Sequence, residues 1–308
     1  MTEKLALVGI GKIARDQHLP SIYANPDWSL EAAVSRHASV DGVEHFEKLE
    51  ALLEARPDIT TISLAIPPQP RYEYAAMALK AGRHVMLEKP PGQSLAECFA
   101  LEELARQNGV TIFATWHSRY ADCVPDLKAW LAERTLKNLA ITWKEDVRRW
   151  HPGQEWIWEP GGMGVFDPGI NALSILTEIM PYRVHLREAT LEFPENRATP
   201  IAAHLAFTDP QAGSELTAEF DWRQEGPQTW DILIETDRGS ARLSHGGERL
   251  EIDGELVKQG ANHEYSNLYA RMASLVRAGE SDMDLSPMIH VCDAFSLGRR
   301  LITDPFEF

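Results

Sequence analysis

Two regimes of apolar patterning divide the chain. Up to about Tyr120, apolar runs of strand length (Leu5 to Val8, Leu30 to Val34, Ile59 to Ala65, His84 to Leu87, Val110 to Ala114) alternate with segments of helical period (Leu49 to Ala55, Arg71 to Ala81, Leu95 to Gln107). The last two segments stop at Gly82 and Gly109, as helix ends commonly do. This βαβ rhythm predicts a doubly wound parallel sheet.

Beyond a helix expected over Asp126 to Glu133, strands separated by turn residues take over: Leu139 to Trp143, Thr190 to Phe193, Ala202 to Phe207, Glu215 to Phe220, Thr229 to Glu235 and Ala241 to Leu243. They predict a mostly antiparallel sheet. One helix is expected over Asn171 to Ile179, directly after a glycine-rich segment, and two more, Leu268 to Ala278 and Met288 to Arg300, close the chain. At 308 residues the chain is long for one core. The expected α/β organisation is a dinucleotide-binding domain over residues 1–120 and an α+β domain with an open sheet over 121–308, the closing helices being able to pack back on the first.

Charge narrows the partners. The chain carries 46 acidic against 30 basic side chains, a formal charge of −16, which repels phosphate backbones and anionic lipid heads. Neither nucleic acid nor a membrane is expected as a partner, and no apolar run reaches spanning length. Cys98, Cys123 and Cys292 lie far apart and are expected as reduced structural thiols. Met1-Thr2-Glu3-Lys4 leads straight into Leu5-Ala6-Leu7-Val8 without the marks of an export signal, so a cytoplasmic protein is expected.

Gly9-Ile10-Gly11-Lys12-Ile13-Ala14 follows the first strand and opens a helical segment, the setting in which such a loop binds a dinucleotide. Gly9 permits the tight turn, Gly11 lets backbone approach the pyrophosphate, and Ala14 allows close helix packing. The second strand ends in Val34-Ser35-Arg36-His37, without the acidic residue that would hold the ribose 2'-hydroxyl of NAD. A hydroxyl and a guanidinium offer bonds to a 2'-phosphate instead, so NADP is the expected cofactor, with NAD also accepted. The expected cofactor-side residues are Gly9, Gly11, Lys12, Ile13, Ser35, Arg36, Ile66, Pro67, Glu88, Lys89 and His117.

The fourth strand, His84-Val85-Met86-Leu87, runs into Glu88-Lys89-Pro90-Pro91-Gly92, placing charge at the carboxyl end of a parallel strand, where such sheets bind ligands. Pro90 biases Lys89 toward an extended backbone, and a lysine beside an oxidised nicotinamide has its pKa lowered by the positive ring and by burial. Gly162-Met163-Gly164-Val165-Phe166-Asp167-Pro168-Gly169-Ile170-Asn171 supplies a carboxylate from the other half of the chain. A lysine and a carboxylate suggest hydride transfer coupled to removal of a proton. Glu145, Trp150, His151, Trp156 and Trp158 combine indole faces suited to the C–H face of a pyranose with groups that can fix its hydroxyls; core packing is the competing role for these tryptophans. His117 has no partner at chelating spacing, so no metal is expected. His18, His45 and His204 are expected as surface or satisfied groups.

In this order the motifs resemble the family of glucose-fructose oxidoreductase and inositol dehydrogenase: the nucleotide loop, the Glu88-Lys89-Pro90 turn, and a Gly-Gly-x-x-x-x-Asp segment ending at Asp167. The resemblance spans nearly the whole chain. It implies a Rossmann domain followed by a mixed sheet domain whose open face serves contacts in a homo-oligomer. Trp116-His117-Ser118-Arg119 and the stretch Trp143 to Trp158 are similar to the bacterial sugar 1-dehydrogenases of this family, those acting on D-galactose and L-arabinose, and imply Glu145 and His151 as sugar ligands. Many members carry an acid/base histidine four residues after the aspartate, where this chain has Asn171. Asparagine cannot exchange a proton at neutral pH, so Asp167 and Lys89 remain as candidate bases. The resemblance implies that Asn171 bonds substrate hydroxyls from the first turn of its helix.

The function expected is an NADP- or NAD-dependent aldose 1-dehydrogenase that oxidises the anomeric carbon of D-galactose or L-arabinose to the lactone. Lys89 and Asp167 would be catalytic, with Glu145, Trp150, His151 and Asn171 binding the sugar. A ligand-sensing protein of the same fold is the rival from another class, and its expected sign is loss of Lys89 or Asp167. An inositol or polyol dehydrogenase is disfavoured by Asn171.

Overall fold

The computed structural model describes residues 2–209 and 214–307, which form two compact units. One is built from the chain up to His117 together with His263–Leu285, the other from Ser118–Asn262 together with the chain from Ser286 onward.

The first unit holds β1 (Glu3–Val8), β2 (Trp28–Val34), β3 (Glu44–Phe46), β4 (Thr61–Leu64), β5 (His84–Glu88) and β6 (Ile112–Thr115). They form the expected doubly wound sheet, all parallel, in the order β3-β2-β1-β4-β5-β6. Leu5–Val8 and all of β4 and β6 are buried, which is why they read as continuous apolar runs rather than alternating ones. The short edge strand β3 was not expected, because its exposed residues carry no apolar signal. Strand order reverses between β1 and β4, and such a switch point opens a crevice at the carboxyl ends of the strands. Helix Leu49–Ala55 lies as expected, whereas helix Pro68–Lys80 begins earlier than its apolar pattern, since prolines fit a first turn. Ser94 caps helix Leu95–Asn108 by accepting from Glu97 N at 3.3 Å, and Gly109 ends it at φ 63°. Helix Glu264–Ala278 belongs to this unit and buries Tyr265 and Tyr269.

The second unit holds β7 (Leu136–Lys144), β8 (His185–Pro194), β9 (Ala202–Thr208), β10 (Glu215–Asp221), β11 (Thr229–Thr236), β12 (Gly239–Ser244), β13 (Arg249–Ile252), β14 (Glu255–Gln259) and β15 (Arg299–Thr303). Their order is β14-β13-β12-β11-β7-β10-β9-β8-β15. Only β10–β7 and β15–β8 pair in parallel, so the sheet is mixed and mostly antiparallel, as expected. Leu139, Ile141 and Trp143 are buried while Ala140 and Thr142 between them are not. Thr142, Thr190, His204, Thr217 and Glu219 stand on the less buried face, along a shallow groove of about 440 Å³.

Other helix boundaries also differ from expectation, among them the start at Glu264 rather than Leu268. The last helix spans Ser286–Leu297, and Arg299 already belongs to β15, because Gly298 breaks the run and the edge of β8 offers backbone partners. The helix expected from Asn171 begins at Phe166. Pro168 is tolerated in its first turn, and Gly169 lies under Phe220, where a Cβ would come within 2.7 Å of the ring. Asp167 is therefore a first-turn residue and Asn171 stands one turn further on.

Candidate functional site

In the first unit, Gly9 leaves β1 at φ +90° and donates its N–H to Val34 O at 2.9 Å. A Cβ at Gly9 would lie 2.6 Å from Ala65 O, so dihedral angle and close approach both require glycine. A Cβ on Gly11 would meet nothing within 4 Å, and this open backbone is the room a pyrophosphate needs. A helical run over 12–24, with a π turn at Ala14–His18, follows at once, and Ala14 is fully buried. The loop fits a dinucleotide. Lys12 is exposed and ion-paired with Asp16, and Ile13 is exposed beside it. Ser35 follows β2 directly and accepts from His37 N at 3.4 Å, while Arg36 is exposed. Ile66 and Pro67 lead out of β4, the neighbour of β1 at the switch point.

Glu88 ends β5 with its carboxylate turned into the interior, 6% exposed. Its Oε1 accepts from Tyr265 OH at 2.7 Å and lies 2.9 Å from His18 Nε2. His18 Nδ1 is 2.7 Å from Tyr269 OH, which is 3.1 Å from Ser63 Oγ. Burial alone pushes the Glu88 carboxyl up, but the His18 bond and the charges of His18 and His117, with the Tyr265 bond, outweigh it and hold it at about 2. Burial pushes Tyr265 and Tyr269 up as phenols. His117 Nδ1 lies 2.8 Å from Glu264 Oε2, and its ring stacks on Tyr265. Burial opposes its protonation, yet Glu264 and Glu88 together raise its pKa. Half-buried Lys89 donates its backbone N–H to Glu88 Oε2 at 3.0 Å, and the Lys89–Pro90 bond is cis.

Ser63, Arg71, Glu264, Tyr265 and Tyr269 went unread as site residues in the sequence. Arg71 donates to Glu88 O, Pro90 O and Ile66 O; its one sequence signal is a basic residue close to a helix start, where the dipole disfavours it. Tyr265 lies 177 residues from Glu88, with no local signal. His18 proves to be a buried, bonded group, whereas His45 and His204 are exposed.

In the second unit, Asp167 is buried, with His151 Nε2 at 3.3 Å from its Oδ2. His151 packs on Trp222, ring centroids 5.3 Å apart. Trp222 Nε1 donates to Glu145 Oε1 at 3.2 Å and Trp230 Nε1 to Glu145 Oε2 at 3.1 Å, so each oxygen of this buried carboxylate holds an indole N–H. Trp150 is 39% exposed, rests on Trp230 at 5.5 Å and donates to Gln228 Oε1 at 3.3 Å. Asn171, on the Asp167 face of the helix, is partly exposed, and its side-chain amide makes no hydrogen bond to another described residue. Glu145, Trp150, His151 and Asp167 thus belong to one cluster. Trp156 is partly exposed, whereas Trp158, at 1% exposure, takes the competing role and packs against Trp222 and Phe306 as core. Trp222 and Trp230 were read only as strand or turn residues, since nothing local says that their N–H groups meet a carboxylate.

Among the described residues no three His, Cys, Asp or Glu side chains gather as a metal site, and no helix is long and apolar enough to cross a membrane. Chemically, the first unit offers a phosphate-accepting loop and a lysine on a braced turn. The second offers a buried carboxylate beside an imidazole, an amide, and a fixed carboxylate flanked by indoles.

Comparison with known proteins shows what the chain as a whole is similar to. The oxidoreductase family with an NAD-binding Rossmann fold matches residues 4–115. The chain is similar to galactose 1-dehydrogenase of Pseudomonas fluorescens, at 41% identity over 98% of this chain and 98% of that one. It is also similar to the crystal structure of D-galactose-1-dehydrogenase from Rhizobium etli, at 54% identity, 100% and 99% coverage and a TM-score of 0.96. A 3-ketoreductase from Actinomadura kijaniata, solved in complex with NADP and TDP-benzene, shares the fold at 19% identity, 98% and 100% coverage and a TM-score of 0.85.

Proposed function

The chain belongs to the oxidoreductase family with the NAD-binding Rossmann fold, and from that premise we propose that it is an aldose 1-dehydrogenase oxidising the anomeric carbon of D-galactose, and of L-arabinose, to the lactone. The observation that carries the reading is the cluster within the second unit: Asp167 with His151 at 3.3 Å, Asn171 one turn on, and Glu145 held by two indoles. The galactose 1-dehydrogenases similar to it along its whole length support the sugar.

Bound over Gly9 and Gly11, NAD or NADP supplies the acceptor for the hydride leaving C1. Asp167 of the second unit has the role of the base that takes the O1 proton, and Lys89 of the first unit that of the cation that stabilises developing negative charge. Asn171, His151 and Glu145 bond the ring hydroxyls, while Trp150 covers a C–H face. Because the indole N–H groups fix both Glu145 oxygens, that carboxylate is preorganised and loses little entropy on binding. D-galactose and L-arabinose share the configuration at carbons two to four, so one pocket serves both, the missing hydroxymethyl leaving space. Cys98, Cys123 and Cys292 carry thiols rather than disulfides, which supports a cytoplasmic setting, and the open groove on the nine-stranded sheet supports a homo-oligomer joined through that face.

Initial rates over a panel of aldoses test the sugar. D-galactose and L-arabinose should reduce the cofactor well and D-glucose poorly, because inverting the C4 hydroxyl strands a buried polar partner at about 1 to 3 kcal/mol, or ten- to a hundredfold in rate. Equal kcat/KM for glucose and galactose would remove the pocket assignment. For the cofactor, Arg36→Ala should raise KM for NADP far more than KM for NAD, since only NADP offers the 2'-phosphate to a guanidinium. An equal effect on both would place Arg36 outside the adenosine pocket.

A further inference from the structure

We infer that Arg71 is a positioning residue that locks the Lys89 turn to the exit of β4; the inference rests on the proposed role of Lys89. Arg71 is only 2% exposed and its guanidinium meets backbone rather than solvent. One nitrogen, Nη1, donates to Glu88 O at 2.5 Å and also to Pro90 O, the carbonyls on either side of Lys89. The other, Nη2, donates to Ile66 O, at the end of the neighbouring strand. One planar fork therefore ties together two adjacent strand exits, and the Glu88 carboxylate holds the Lys89 N–H from within the same turn.

The placement is not a helix preference. A cation near the start of helix Pro68–Lys80 opposes the helix dipole, so the carbonyls must hold it there. Nor is it generic charge, because three carbonyls in this arrangement suit a guanidinium, whereas an ammonium on a flexible stem cannot reproduce the fork. With the fork gone, the carbonyls on either side of Lys89 lose their common donor, while the Glu88 carboxylate still holds the Lys89 N–H and the strands beneath keep their ladder.

The test compares the full-length protein with Arg71→Lys. Acetic anhydride labelling of each lysine, followed by peptide mass spectrometry, reads the freedom of Lys89 directly, without turnover. Lys89 should be acetylated roughly tenfold faster in Arg71→Lys, as expected when a buried charged hydrogen bond is lost, with Lys4, Lys128 and Lys137 unchanged. In parallel, kcat should fall with the sugar KM little altered, and adding Lys89→Ala to Arg71→Lys should give an enzyme no slower than Lys89→Ala alone. An unchanged Lys89 labelling rate overturns the clamp whatever the kinetics show. Faster labelling together with full turnover in Lys89→Ala upholds the clamp and removes Lys89 from the chemistry. Thermal unfolding confirms that the variant is folded, and Arg71→Gln, which keeps amide donors, takes its place if it is not.

Discussion

Replacing Asp167 by asparagine should lower turnover by roughly a hundredfold or more, the usual worth of a general base, while cofactor binding survives. Asparagine keeps the shape of the side chain but cannot accept the proton from O1. A carboxylate base works only when ionised, so the wild-type rate should fall toward acid pH, and that limb should vanish in Asp167→Asn yet persist in a slow Lys89→Ala enzyme. Rate profiles of kcat/KM for the three enzymes decide the matter. Near-normal turnover in Asp167→Asn with the acidic limb intact would pass the base to Lys89 or to water, and Asp167 would only position the substrate.

The buried network around Glu88 leads to an equally large effect on stability. The folded carboxyl is held at about 2 against its ordinary range, so its contribution is fully present above the unfolded pKa and lost as pH falls through the folded one. Between pH 5 and 2 that loss is on the order of 3 kcal/mol. Glu88→Gln removes it at every pH: the variant should be less stable near neutrality by about 3 kcal/mol, the scale of breaking a buried charged pair. Its stability curve should also be flatter than wild type over the acidic window. Urea unfolding from pH 2 to 7 measures the difference. Parallel curves would show that Glu88 carries no charge-dependent share of the fold.

The periodicity of apolar residues was enough for the parallel sheet of the first unit and the antiparallel character of the second, because helix and strand periods are set by neighbours along the chain. Gly9 was legible for the same reason: a turn of positive φ next to a buried strand leaves few alternatives to glycine. Boundaries were less secure. Whether residues 166–170 coil or extend depended on Phe220 covering Gly169, and whether Arg299 continued a helix depended on the free edge of β8. Neither is visible locally. Asp167 and His151 stood out as residue types, but their 3.3 Å approach did not.

The same division runs through the polar interior. His18, Glu88 and Tyr265 come from points up to 247 residues apart, and Glu145 takes its indole donors from residues 77 and 85 positions away. A carboxylate surrenders its hydration only where donors wait for it, and those donors are brought by the topology. The sequence by itself thus determined which strands and loops form and which chemical groups they carry. The tertiary structure alone decided which groups are buried, which are braced as Arg71 braces its turn, and which, like Trp158, are core, because burial and partnership are properties of distant segments meeting.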